Sequence, residues 1–147
     1  MASTGATAPR AVSSDSTVGA VAWATPAAAI SSNDAWATAA INNQITEYLR
    51  CTDFGLAVPS NAVITGITVT VERNKTGTGT VIDSRVHLLR NGIIMSAADN
   101  KASSTAWPTT TDSTATYGGG TDMWGIPLTA ADVNKFSFGV VISAVEN

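Results

Sequence analysis

Ile67-Thr68-Val69-Thr70-Val71-Glu72-Arg73 alternates apolar and polar side chains, the period of a β-strand with one buried face. Just upstream, Ala62 and Ile64 fall on the opposite parity, with Gly66 between the two phases where a bulge would reset the alternation. Downstream, Ile82, Val86 and Leu88 alternate with Asp83, Arg85 and His87, and Asn91-Gly92 leads directly into Ile93-Ile94. Asn-Gly between apolar runs is the strongest short hairpin signal. Near the C-terminus, Phe136, Phe138, Val140, Ile142 and Ala144 share one face, and Ser137, Gly139, Val141, Ser143 and Val145 the other, which predicts a strand covered on both sides.

Outward from these strands the signals weaken. Residues 18–23, 35–41 and 45–51 read as shorter strands, and the Lys-Thr-Gly-Thr-Gly-Thr run at 75–80 as a flexible connection. The Ser/Thr-rich stretches around Ser103 and over 109–116 read as loops, and Gly118-Gly119-Gly120 as a turn. One helical turn is expected at 129–134, with Thr129 as its N-cap. About eight short strands at roughly 8 to 15 residue spacing, without a helix of core length, predict an all-β fold: a two-sheet antiparallel sandwich of jelly-roll type. Residues 1–17, built from Ala, Ser, Thr and Gly with Pro9, show neither period and are expected to form an extended N-terminal arm on a domain spanning 18–147. Such an arm has too little apolar surface to order itself, so a neighbouring subunit is its expected restraint.

Composition narrows the function. The chain of 147 residues carries 8 Lys and Arg against 11 Asp and Glu, scattered singly, with net charge −3. No basic stripe is available to displace counterions from a phosphate backbone, so no nucleic-acid partner is expected. No apolar run approaches the roughly 20 residues of a membrane span, and no membrane partner is expected. The start of the chain lacks the charged and apolar regions of a secretion signal, which points to synthesis in a cytoplasm. With Cys51 as the single cysteine, no intramolecular disulfide is available.

Residues for chemistry are few. His87 is the only histidine; it reads as a mid-strand histidine, satisfied or at the surface, against the alternative of a catalytic base. One histidine and one cysteine exclude structural zinc on count. Asp83 beside Arg85 suggests a buried ion pair, while Asp112 and Asp122 read as solvated loop acids, with loop calcium as the alternative. No catalytic residue, cofactor or metal site is expected. Trp23, Trp36, Trp107 and Trp124 suit the ends of a sandwich core, with indole N–H groups tied to carbonyls. For Trp107, beside Pro108, and for Tyr117, a second reading stands: an exposed contact for a sugar or a partner.

Leu49-Arg50-Cys51-Thr52-Asp53-Phe54-Gly55-Leu56-Ala57-Val58-Pro59, followed by Ala62-Val63-Ile64-Thr65-Gly66-Ile67 and the alternating strand, resembles a β-sandwich module of tailed-bacteriophage virion proteins. Trp23-Ala24-Thr25-Pro26, Trp107-Pro108, Tyr117-Gly118-Gly119, Trp124-Gly125 and Leu128-Thr129 through Asp132-Val133-Asn134 to Phe138-Gly139-Val140 extend the resemblance over roughly residues 18–145. It is most similar to capsid decoration (cement) proteins. The resemblance implies a structural, non-enzymatic virion protein on the capsid surface, bound to the major capsid protein and to itself as a homotrimer. The arm residues Thr4, Thr7, Pro9, Arg10 and Val12 are the expected contacts to capsid or subunit. The same module also resembles head-fibre and tail-appendage domains, which leaves a glycan- or receptor-binding module, with Trp107 and residues 109–116 as its contact, as the alternative.

Overall fold

The computed structural model describes residues 2–147; Met1, the first residue of the expected arm, lies outside the described residues. In chain order the elements are β1 (Ala11–Asp15), a 3-10 helix (Pro26–Ile30), β2 (Tyr48–Thr52), β3 (Thr68–Arg73), β4 (Val81–Arg90), β5 (Ile93–Ile94), β6 (Ser113–Gly118), α1 (Ala130–Asn134) and β7 (Gly139–Glu146). The fold is an antiparallel β-sandwich: one sheet has the order β1-β2-β7-β4-β5 and the other is the pair β3-β6. The pairs β2·β7, β3·β6 and β4·β5 nest inside one another along the chain.

Each strand pair carries its apolar parity inward. Val12, Cys51, Val140 and Leu88 are cross-strand neighbours in the large sheet, and they face Val69, Val71, Ala115 and Tyr117 of the small one. Trp124, Ile126, Leu128, Val133 and Phe138 close the rest of the core. The Asn91-Gly92 turn has φ of 53° and 75°, the positive pair that a two-residue hairpin of type I′ requires. At Gly118, φ is 72° and a Cβ would sit 2.3 Å from the Ile67 carbonyl oxygen and 2.4 Å from Trp124 Nε1, so only glycine lets β6 end against that tryptophan. Thr129 caps α1 as expected: its side chain accepts from the Asp132 amide, and the Asp132 carboxylate accepts from the Thr129 amide 2.9 Å away.

Several expectations change. The arm is shorter than 1–17, because Ala11–Asp15 is an edge strand of the large sheet, in register with β2 from Ala11↔Thr52 to Asp15↔Tyr48. Its sequence, Ala-Val-Ser-Ser-Asp, has one large apolar residue and therefore no visible period; pairing with β2 organises it. Residues 18–23 and 35–41 hold only isolated bridges, Val21↔Thr46 and Ala24↔Thr38, and the expected strand at 45–51 lies at Tyr48–Thr52. The expected loop at 109–116 contains the start of β6, whose inward positions, Ala115 and Tyr117, are too few to signal a strand. Phe136, expected to share the core face with Phe138, precedes the strand and is 78% exposed.

Candidate functional site

The most concentrated chemistry lies inside the sandwich. β4 shifts register between Asp83 and Arg85, so Ser84 bulges and the alternation reverses. Asp83 consequently faces the core on the same side as Val86 and Leu88, and Arg85 is exposed. Sequence alternation had placed Asp83 opposite Val86 and paired it with Arg85; the structure pairs it with Arg73 of β3, whose Nη1 is 2.5 Å from Asp83 Oδ1. Trp107 Nε1 donates to the same oxygen at 2.8 Å. Tyr117 Oη at 2.8 Å and the Ser103 amide at 3.0 Å donate to Oδ2. Arg73 Nη1 also donates to Tyr117 Oη at 3.1 Å, and its guanidinium carbon is 5.5 Å from the Trp107 ring centroid.

Four residues from the small sheet and the 98–110 connection thus converge on one carboxylate of the large sheet. Burial first, and then the hydrogen bond to Asp83, push the Tyr117 hydroxyl well above the usual phenol range. With four donors already on two oxygens, Asp83 is a structural anchor. Trp107 and Tyr117, considered as surface contacts, are 9% and 4% exposed. Their polar tips are occupied within the domain, which accounts for their burial. Trp23 and Trp124 meet the expectation for a sandwich: their indole N–H groups donate to the carbonyls of Glu47 at 2.8 Å and Ile67 at 2.9 Å.

A shallow groove of about 650 Å³ crosses the outer face of the large sheet. Tyr48 and His87 are its buried residues, with Arg50, Arg85 and Asp15 around them. Arg50 is engaged by Asp15 at 3.1 Å and by the Gly92 carbonyl at 3.0 Å. Burial holds His87 below its ordinary value of 6.5; a hydrogen bond to the Asp99 backbone opposes this and the charge of Arg85 adds to it. Its Nδ1 is buried without a hydrogen-bond partner among the described residues.

This depression has a sign. Between 6.5 and the lower folded value, the unfolded chain binds a proton that the folded chain does not. Stability is therefore complete above pH 6.5 and lost as pH falls through the folded value, with a slope of at most about 1.4 kcal/mol per pH unit. Thermal unfolding between pH 7.5 and 5 is expected to show this decline, and His87→Gln to flatten it. The lowered carboxyls of Asp15, Asp122 and Asp132 act below their ordinary 3.8, outside that window. An unchanged slope in His87→Gln would refute the assignment.

Asp112 and Asp122 are not brought together. They flank opposite ends of β6; Asp112 accepts from Asn74 Nδ2 at 2.9 Å, and Asp122 pairs with Lys101 at 2.8 Å. Among the described residues no group of three or more His, Cys, Asp or Glu side chains is placed to hold a metal ion. Burial pushes the Cys51 thiol up to about 12, where it is a poor nucleophile.

The arm residues divide. Thr4 and Thr7 are exposed, and Thr4 Oγ1 donates to the neighbouring Gly5 carbonyl at 2.9 Å. Pro9 is half-buried. Arg10 fixes the root of the arm: its amide lies 3.2 Å from the Thr52 carbonyl and 3.0 Å from that of Asp53, and its side chain is 3.8 Å from the Asp53 carboxylate. Val12, grouped with the contacts from sequence, packs against the core instead, because β1 is a strand of the sheet.

Sequence reading missed the exposed apolar residues. Val63, Ile93 and Phe136 are 84%, 66% and 78% exposed. All lie at the end of the sandwich where the arm departs: the Phe136 carbonyl accepts from the Asp53 amide, Val63 bridges to Thr129 at the start of α1, and Ile93 leaves the Asn91 turn, whose side chain accepts from Lys135 Nζ at 2.6 Å. No protein-family model matches the chain, and no curated protein or solved structure matches it either.

Proposed function

We propose that this chain is a structural, non-enzymatic protein of a tailed-bacteriophage virion: a decoration protein that attaches to the outer surface of the capsid and holds neighbouring major capsid protein subunits together, acting as a homotrimer. The observation that carries this reading is the arm. Residues 2–8 are exposed, and the hydrogen bonds within them, Thr4 to Gly5 and Gly5 to Ser3, are local. The arm is rooted by Arg10 in a folded edge strand, at the end of the domain where the exposed apolar side chains gather.

A tethered segment of this kind turns weak contacts into one attachment, because its second contact forms at high effective concentration. The resemblance of residues 18–145 to virion β-sandwich modules points the same way. A glycan-binding reading would rest on Trp107 and residues 109–116, and the indole N–H of Trp107 is engaged inside the domain.

A ligand that binds the assembled shell and not its dissociated subunits raises the resistance of the shell to disruption. Particles lacking the chain are therefore expected to release DNA at a lower temperature, or under milder chelation or pressure, while adsorbing to cells at an unchanged rate. Normal heat resistance together with defective adsorption would reverse the assignment in favour of a receptor-binding module.

A further inference from the structure

We propose that the arm of one copy, residues 2–9, lies in the uncharged groove between residues 60–64 and α1 of a second copy. The inference rests on the self-assembly part of the reading above and gives it a surface. The groove has a volume of about 520 Å³ and no charged residue in its lining. Leu128 is buried beneath it, Ala130 and Ala131 keep it shallow, and Val63 stands on its rim.

The arm matches in chemistry. Ala2-Ser3-Thr4-Gly5-Ala6-Thr7-Ala8-Pro9 carries no charged side chain and nothing larger than threonine or proline. In extended form Ala2, Thr4, Ala6 and Ala8 face one way, a row of small side chains for a shallow floor. The groove on the outer face of the large sheet suits it less well, since Arg85 and the Arg50–Asp15 pair would have to be desolvated there.

Position favours a second copy as the occupant. In the single chain residues 2–8 of the arm remain exposed, and Val63 on the groove rim remains 84% exposed. The arm root and the groove lie at the same end, so copies related by a three-fold axis near that end pass their arms around the ring, each into the groove of the next copy, and satisfy every groove at once. Eight extended residues span about 26 Å, enough to cross from one small domain to its neighbour.

The test uses the full chain with Cys51→Ala as background. Chains carrying Ala6→Cys and chains carrying Val63→Cys are mixed at high concentration and mildly oxidised. A mixed disulfide dimer in several-fold excess over either homodimer is expected. An Ala6→Cys/Val63→Cys chain that closes only within itself, or no excess of the mixed dimer, would overturn the proposal. Sedimentation gives an independent check: the full chain should associate, while deletion of residues 2–9 or Val63→Asp should leave a folded monomer. Equal association of all three would also overturn it. The particle heat and adsorption measurements do not depend on these results, so failure of the arm exchange and failure of the decoration reading are separable.

Discussion

Replacing Asp83 by alanine is expected to destabilise the domain by about 3–5 kcal/mol, the cost of leaving a buried charge without its partner. The Arg73 side chain is 7% exposed and that of Asp83 is 0%, so neither ion is rescued by water. The substitution also strands the Trp107 N–H and the Tyr117 hydroxyl, each of which donates to this carboxylate. For a domain of this size the loss amounts to a fall in Tm of roughly 10 °C or more. Tyr117→Phe removes one donor and leaves the ion pair intact, and is expected to cost about 1 kcal/mol. The double variant Arg73→Leu/Asp83→Leu should be less damaged than the sum of its single variants, because it removes both buried charges together. Urea unfolding of the five variants, Asp83→Ala, Tyr117→Phe, Arg73→Leu, Asp83→Leu and the double variant, measures all of this. An Asp83→Ala variant within about 1 kcal/mol of the parent would show that the pair is dispensable.

Two truncations are expected to differ sharply. Removing residues 2–9 should change stability by no more than about 0.5 kcal/mol, as for surface changes that touch no packed feature, while abolishing or strongly weakening attachment to particles. Removing residues 2–16 also takes away β1. It uncovers the edge of β2, withdraws Val12 from the core and breaks the Asp15–Arg50 and Ser14–Glu47 contacts. Partial burial of one valine and several net hydrogen bonds together put the loss on the order of 3–5 kcal/mol. Denaturation midpoints of the two chains, with particle binding of the shorter truncation, check the pair. If loss of residues 2–9 unfolds the domain, the arm belongs to the core; if that chain binds particles normally, attachment does not depend on copies linked through their arms.

The sequence by itself determined what repeats locally. The alternation at residues 67–73, the Asn91-Gly92 turn into Ile93 and the Thr129 cap each depend on neighbours a few positions away, and each is present in the fold. Together they were enough to specify an antiparallel β-sandwich.

Tertiary structure decided what depends on distant pairing. β1 is a strand because β2 lies beside it, and its own five residues carry no period. Asp83 pairs with Arg73 because a bulge at Ser84 turns it inward and the small sheet supplies the guanidinium; sequence neighbourhood suggested Arg85. Trp107 and Tyr117 are inside because that carboxylate accepts their hydrogen bonds. Val63, Ile93 and Phe136 are outside because the core is filled without them. Hydrophobicity along a chain shows which side chains favour burial, and only the packed layers determine which of them find room.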